Sequence, residues 1–481
     1  MEASTQILLV MLVYALFLFL YGLWQGRKVK NSQDFAIAGR SLSGVVASLS
    51  ERATGESSWA LLGLPGAAYA TGLLEVWTAI GCVVGIIFSW IVLAWRIQKD
   101  AAELDATTFT DFIAKKHGDK GRLIRIAGSI TIVFFFFFYV GAQFIGGAKT
   151  LNNLFNLDTT WGMILIVLLV IPYTVYGGFR SVAYTDVIQA VIMIVALIVT
   201  PIVGLIYIAT QPDNAVYAHS IGEALTKAGS QFTDMSGGLH GFGAGAMIGG
   251  SLAWMFGYFG GLPQLTTRFM SIRDAKQAKV GRNVGIVWTI FAYLGALSIG
   301  WIGIAIFGPE NVADCENIMP IMLTKLFPPI VVGVLITGIL AAVISTANSV
   351  LILSATELSE NLIKPLCKEK GNSLRQSRIV TVVLSVFALI IAFFSSSEFI
   401  FTIVGYVWAG IGCTFSVVIL LTLFWKRFNG TAAVLTIVTG VVFTIVWITT
   451  GYDKIVSARL MTFVVSGFVA VVGSFIFPKK S

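Results

Sequence analysis

Apolar runs long enough to cross a bilayer recur along the whole chain. Residues 5–24 and 459–477 are typical examples. A helix needs roughly 20 such residues to span the hydrocarbon core, and this requirement excludes most soluble folds. The sequence therefore predicts an all-α membrane protein with about thirteen transmembrane helices. The candidate spans begin near residues 4, 42, 74, 123, 159, 182, 239, 283, 328, 377, 398, 431 and 457.

The composition agrees with this class. The chain has 481 residues, of which 57% are hydrophobic and only 12% are charged, whereas soluble domains carry about 25% charged residues. The longest polar connections, at 99–122, 209–238 and 364–377, are too short to bury a core of their own. We therefore expect a single transmembrane domain over 1–481. Motifs of phosphate loops, zinc proteases or Ser/His/Asp hydrolases are not seen in the sequence, so we do not expect an enzyme.

The net charge of +8 is distributed unevenly. Basic residues cluster in every second connection, while the connections between them carry mainly acidic residues. Because cytoplasmic loops retain Lys and Arg, this alternation predicts an N-terminus outside and a C-terminus in the cytoplasm of a cell-membrane protein. The basic positions lie at 27–40, 96–122, 180, 268–282, 364–375, 426–427 and 479–480.

Two spans contain features that a simple crossing does not need. The second, at 42–71, is long for one crossing and carries RATGESS at 52–58. The seventh, at 240–269, is dense in glycine and is interrupted at 260–263. Interrupted membrane helices expose backbone groups that can line a substrate and ion site. Alternatively, the glycines only allow close helix packing, which explains much of the seventh span but not RATGESS.

A third span supplies oxygen atoms. Ala342, Ser345 and Thr346 fall at i, i+3 and i+4 and therefore share one helical face. A hard cation such as sodium prefers several oxygen ligands, which hydroxyls and unwound carbonyls can provide. The alternative is a pair of hydroxyls that only bond back to their own helix.

Six segments resemble the sodium:solute symporter family, most closely its sodium/proline symporter branch. They occur in the order found in the family and extend over most of the chain. Together they are specific, although each short motif alone is not. The segments are AGRSLSGVVASLS (38–50), SSWALLGLPGAAYATG (57–72), LEVWTAIG (74–81), YGGFRSVAYTDVIQA (176–190), GYFGGLPQLTTRFM (257–270) and LAAVISTANS (340–349).

The resemblance implies a LeuT-type core of two inverted five-helix repeats, at 42–208 and 239–425. A first helix and cytoplasmic loop at 1–41 precede the core, and two last helices at 426–481 follow it. The resemblance also implies uptake of proline, or a similar small amino acid, together with sodium by alternating access. Sodium is then a transported ion, and no cofactor is expected.

The family's sodium ligands carry over onto five positions of this sequence. The resemblance implies backbone carbonyls of Ala53, Glu56 and Ala342. It adds the hydroxyls of Ser345 and Thr346.

The resemblance places substrate contacts on Ser57, Tyr139, Trp254 and Tyr258. Trp254 and Tyr258 are spaced i, i+4, so their rings could wall a compact substrate or simply pack between helices. Asp186 matches an acidic family position on the path of sodium to the inner mouth. The alternative for Asp186 is a structural ion pair near Arg180.

The second span departs from its relatives. Proline carriers have Asp where this chain has Gly55 and Met where it has Glu56, and they lack the pair Glu51 and Arg52. Three interpretations of Glu56 stay open. It forms an internal ion pair with Arg52, it replaces the missing aspartate in sodium coupling, or it changes the substrate or the coupling ion. In the last case a carboxylate in the cavity would bind a cationic solute or carry a proton.

Two broader alternatives also remain. The solute could be another amino acid, an organic cation or a small carboxylate, moved with sodium or protons. The protein could instead be a solute sensor, although no signalling domain follows the last span in the sequence. A channel is disfavoured because nothing resembles a selectivity filter.

Overall fold

The computed structural model describes residues 2–367, 373–395 and 399–478. Within these ranges the regular elements are helices, and ten helical runs are long and apolar enough to cross a membrane. The predicted all-α, multi-pass membrane class is confirmed. Parts of two predicted basic clusters, 368–372 and 479–480, lie outside the described residues.

The first half of the chain contains eleven helices, several of which are segments of one longer crossing. They are α1 (Ala3–Gly26), α2 (Ser32–Ile37), α3 (Gly44–Ser58), α4 (Leu64–Thr71), α5 (Val76–Phe88), α6 (Ala94–Glu103), α7 (Phe109–His117), α8 (Gly121–Phe155), α9 (Thr159–Thr210), α10 (Ile221–Ala228) and α11 (Ser230–Thr233).

The second half begins with a helix that is broken twice and ends with two helices that pack against each other. Its helices are α12 (Gly241–Leu252), α13 (Trp254–Tyr258), α14 (Pro263–Ser271), α15 (Ala275–Phe307), α16 (Ile318–Leu326), α17 (Pro329–Leu358), α18 (Lys364–Cys367), α19 (Ser373–Ser395), α20 (Ile400–Val407), α21 (Thr414–Phe424), α22 (Gly430–Thr449) and α23 (Ala458–Ile476).

The interruption expected in the second span lies at Ser57. This residue has φ 45° and ψ −165°, a conformation that a non-glycine residue rarely adopts. A π-helical turn, Trp59–Gly63, follows and leads into α4. The charged residues of RATGESS therefore sit on the last regular turns of α3, and the chain unwinds just after them.

The seventh span is interrupted where its glycines and proline predict. After α13 the chain turns at Gly260, with φ +84°, before Pro263 starts α14. A Cβ atom on Gly261 would lie 1.9 Å from the carbonyl oxygen of Gly412. Close packing and a chain break, the two explanations offered for these glycines, therefore both apply here.

Helix α17 lies at the centre of the protein. Of its most apolar window 83% is buried, against 22% for α1 at the periphery. It packs against α1, α3, α8 and α9. Its hydroxyl-bearing residues Ser345 and Thr346 are consequently held away from lipid, against the broken helix α3.

Candidate functional site

The break in α3 frees backbone groups that neighbouring side chains satisfy. The Ser58 N–H donates to Oε1 of Gln143 at 3.1 Å. The indole Nε1 of Trp59 donates to the Gly55 carbonyl at 3.1 Å. Buried backbone groups need such partners because no water reaches them in the membrane. Gln143 and Trp59 thus hold the unwound conformation, and sequence reasoning missed both.

A cluster of buried aromatic rings surrounds the break. The Trp59 and Trp254 rings stack with centroids 4.7 Å apart. The Trp408 ring lies 5.3 Å from Trp254, 5.3 Å from Tyr258 and 6.2 Å from Tyr139. The three aromatic residues predicted to contact substrate are therefore brought together, and Trp408 joins them. We call this the aromatic cluster; its members are Trp59, Tyr139, Trp254, Tyr258, Tyr293, Phe401 and Trp408.

Trp59 and Trp408 differ in how well they could have been predicted. Trp59 follows the predicted interruption by one residue, so its place beside the break could have been read from the sequence. Trp408 lies in an ordinary apolar span. Only the packing of the π-helical turn Trp408–Cys413 against α8 and α13 brings it to the site.

Several polar atoms beside these rings are buried without a hydrogen-bond partner in the described part of the chain. Most buried polar atoms in proteins are bonded, so a group of exceptions needs an explanation. Here the exceptions lie around one break and close to the aromatic cluster, and a few polar groups among aromatic side chains are typical of a small-molecule site. The atoms are Glu56 Oε2, Ser58 Oγ, Tyr139 Oη, Trp254 Nε1 and Trp408 Nε1.

The predicted sodium ligands lie where α3 and α17 meet. The Thr346 hydroxyl donates to the Thr54 carbonyl at 3.1 Å. The Ser345 and Thr54 hydroxyls are 3.3 Å apart. Ala53 and Ala342 are buried on the same two helices. The expectation that Thr346 only bonds back to its own helix is wrong, because its hydroxyl bonds across to α3.

Asp186 is buried in an ion pair whose partner was not predicted. Its Oδ2 lies 3.1 Å from Nη2 of Arg268 and accepts from the Ser50 hydroxyl at 2.6 Å. The alternative that placed its partner near Arg180 is wrong, because Arg180 instead donates to the Ser41 hydroxyl at 3.2 Å.

Arg268 does not lie in a solvated connection. The charge alternation predicts a basic cytoplasmic connection at 268–282, but the Arg268 side chain is only about 1% exposed. Because α14 turns back into the protein, its guanidinium finds buried oxygen atoms there. Nη2 also donates to the hydroxyls of Thr54 at 2.8 Å and Ser349 at 2.5 Å. Arg268 therefore connects Asp186 to the helices that carry the sodium candidates.

The charges of RATGESS form a buried triad of Glu51, Arg52 and Glu56. Nη1 of Arg52 lies 2.7 Å from Oε1 of Glu56, so the predicted Arg52–Glu56 ion pair is confirmed. Nε of Arg52 also donates to Oε2 of Glu51 at 2.6 Å, and Nη2 pairs with the other Glu51 oxygen. Trp90 Nε1 donates to Glu51 at 3.0 Å. One guanidinium thus faces two carboxylates, and Glu56 keeps one unpartnered oxygen.

The sequence matches the pattern of the sodium:solute symporter family over residues 35–440. It is 33% identical to the osmoregulated proline transporter OpuE of Bacillus subtilis, over 94% of this chain and 90% of that protein. It is 32% identical to the high-affinity proline transporter PutP of Bacillus subtilis, over 93% of each chain. In three dimensions it resembles a Na⁺-coupled sialic acid symporter in a substrate-bound, outward-open state. That match has a TM-score of 0.81 at 17% identity and covers both chains fully.

Replacing Arg52 by Gln tests the triad. We expect a large loss of stability, about 3–5 kcal/mol, because two buried carboxylates lose their common partner. The measurement is the melting temperature of the purified protein in detergent. The triple variant Glu51→Gln, Arg52→Gln, Glu56→Gln should recover part of the loss, since no unpaired charge remains.

Lys99→Gln is the matched control. Lys99 and Glu103 also form an i, i+4 pair, but at 3.8 Å and with both side chains 63% exposed. Such surface pairs contribute little to stability, so this variant should melt close to the parent. Equal melting temperatures for Arg52→Gln and Lys99→Gln would contradict a stabilising role for the triad.

Proposed function

The chain belongs to the sodium:solute symporter family, and on this basis we propose that it takes up proline, or a closely similar small amino acid, together with sodium. It is a membrane transporter and not an enzyme. The observation that carries the proposal is the break at Ser57, beside which unpartnered polar atoms lie next to buried aromatic rings. The sodium gradient and the membrane potential drive uptake, and the potential contributes about 2.3 kcal/mol per charge per 100 mV.

Sodium binds between α3 and α17 in this proposal. Its ligands are the carbonyl oxygens of Ala53, Glu56 and Ala342 and the hydroxyls of Ser345 and Thr346. Support comes from the contacts that both hydroxyls make with Thr54, which hold α17 against the end of α3. An ion bound there accepts oxygen lone pairs from both helices and therefore favours the conformation in which they are close.

The substrate binds beside the break, at Ser57, Tyr139, Trp254 and Tyr258. The proline ring is apolar and compact, so it suits the aromatic cluster. Its carboxylate and secondary ammonium need donors and acceptors. Tyr139 Oη and Trp254 Nε1 are such groups, and neither has a partner in the described part of the chain.

Asp186 acts on the ion pathway in this proposal. Arg268 pairs with Asp186 and also donates to the Thr54 hydroxyl. It therefore connects Asp186 to the helix that carries part of the proposed sodium site. A sodium ion that leaves the hydroxyls of Ser345 and Thr346 can next bind the Asp186 carboxylate. Oδ1 of Asp186 has no hydrogen-bond partner among the described residues.

Thirteen spans with two inverted five-helix repeats, at 42–208 and 239–425, remain our proposal for the topology. Gly72, with φ +66°, divides the apolar run Gly44–Glu103 into two crossings. Gly178, with φ +56° and ψ −161°, divides α9 in the same way. With α1 before the repeats and α22 and α23 after them, an odd number of crossings places the two termini on opposite sides of the membrane. The alternation of basic and acidic connections supports an N-terminus outside and a C-terminus in the cytoplasm.

Uptake of radiolabelled proline into proteoliposomes tests the function directly. We expect accumulation that requires an inward sodium gradient and increases with an inside-negative potential. Vesicles without protein, and vesicles with equal sodium on both sides, are the controls. Absence of proline uptake under either a sodium or a proton gradient would exclude proline as the substrate.

Ser345→Ala and Thr346→Ala test the sodium site. Each change removes one proposed oxygen ligand, so the sodium concentration for half-maximal uptake should rise, by about tenfold for a lost interaction of about 1.4 kcal/mol. Thr356→Ala is the matched control, because the Thr356 hydroxyl on the same helix only bonds back to Ile352. Unchanged sodium dependence in both site variants would place the ion elsewhere.

Glu56→Gln distinguishes the three interpretations of the Glu56 carboxylate. The ion pair is present, but Glu56 Oε2 has no hydrogen-bond partner in the described part of the chain and can still meet a cation or a proton. Uptake should be measured against sodium and pH, with expression and melting temperature as controls. Of the three interpretations, we propose that the Glu56 carboxylate replaces the aspartate that proline carriers have at the position of Gly55, so we expect a weaker dependence on sodium. Loss of pH dependence would instead indicate proton coupling, and unchanged uptake would leave only the structural ion pair.

A further inference from the structure

A cavity of about 250 Å³ opens beside the start of α23. Helix α12 forms one wall, and the connection between α22 and α23 forms the other. Its polar lining consists of Ser251, Asp453, Lys454, Ser457 and Arg459. The cavity lies at the end of the molecule that the charge alternation places outside, since Leu239 of the acidic connection before α12 also lines it.

The charge of Arg459 is not balanced by any carboxylate within 4 Å in the described part of the chain. Its Nη2 donates to the Gly250 carbonyl at 3.2 Å, and its Nε is buried without a hydrogen-bond partner there. Asp453, the acidic residue of the cavity, accepts from the Ala458 N–H at 2.6 Å and so caps α23. A half-buried guanidinium normally meets an anion, because its donors match two carboxylate oxygens.

Arg459 lies between this cavity and the aromatic cluster. Its Cζ is 4.6 Å from the centroid of the Trp254 ring, which itself stacks on Trp59. A Cβ on Gly405 would lie 2.5 Å from Nη1 of Arg459, so the glycine leaves room for the guanidinium. An anion held by Arg459 is therefore separated from the proposed substrate site by little more than one indole ring.

We propose that this cavity is an outer binding site for the carboxylate of a small amino acid, with Arg459 as the anion-binding residue. The proposal rests on the proposed function, because it takes the carboxylate from the transported solute. A cavity of about 250 Å³ has room for a small amino acid such as proline. Lys454 adds a second positive charge at the opening, which raises the local concentration of anions. The amino acid binds here first and enters the proposed substrate site when the aromatic cluster opens.

A cysteine at Met247 provides the test, since Met247 lines the cavity and is 43% exposed. Proteoliposomes are treated from outside with anionic and with cationic membrane-impermeant thiol reagents of equal size. The parent carrying Met247→Cys should react faster with the anionic reagent. Adding Arg459→Gln should lower the ratio of anionic to cationic rates by about tenfold, the lower end of electrostatic rate effects. Labelling of the chain without Met247→Cys is subtracted.

Protection of the cysteine from labelling by a bound ligand tests whether the cavity recognises a carboxylate. Proline should slow the labelling of Met247→Cys, whereas prolinamide, which lacks the carboxylate, should not. Protection should disappear in Arg459→Gln. Equal protection by proline and prolinamide, or an unchanged rate ratio in Arg459→Gln, would overturn the proposal.

Arg378→Gln is the matched control. The Arg378 guanidinium lies 5.4 Å from the Tyr176 ring, donates to a carbonyl at 2.8 Å and has an unpartnered Nε, but Arg378 does not line this cavity. Its loss should leave the rate ratio and the protection unchanged. The ratio of anionic to cationic labelling rates needs neither transport nor proline. It therefore still tests the site if the parent shows no proline uptake, a result that would refute the proposed function alone.

Discussion

A buried helix in a membrane must satisfy every backbone group from within the protein, and the end of α3 meets this requirement in an unusual way. At Ser57 the helical hydrogen bonds stop, and side chains supply the missing partners. Gln143 and Trp59 belong to different elements, so α8 and the π-helical turn must both be in place. The aromatic cluster, the sodium candidates and the charged triad are all arranged around this one unwound residue.

The residues before the break divide by helical spacing into two faces. Ser50 and Thr54, four apart, face α9, α14 and α17, where they meet Asp186, Arg268 and the serine hydroxyls. Arg52 and Glu56, also four apart, face the opposite side, where Thr289 of α15 contacts the guanidinium. Each face contains one arginine with its own carboxylate partner. Helix α3 therefore carries two separate charge networks, one on each face.

Much of this arrangement can be read from the sequence, because bilayer thickness sets the length of apolar runs and helix geometry sets which residues share a face. The membrane class, the interruption near RATGESS, the Arg52–Glu56 pair and the grouping of Ser345 and Thr346 follow from such local rules. Arg268 does not. Its charge looks like that of a loop residue, and only the return of α14 into the protein shows that it pairs with Asp186. Trp408 was missed for the same reason, since its role depends on packing between distant segments.

The hydroxyl of Thr54 has a further consequence, which follows from counting protons. A hydroxyl donates one hydrogen bond and accepts two. Arg268 donates into Thr54 Oγ1, while the hydroxyls of Ser349 and Ser345 lie 3.0 and 3.3 Å from the same oxygen. With one acceptor position filled by the guanidinium, Thr54 can donate to one serine and accept from the other. The directions of the two serine bonds are thus coupled through Thr54. While Arg268 keeps its place, a reversal of the bond to Ser349 requires a reversal of the bond to Ser345, without movement of any helix.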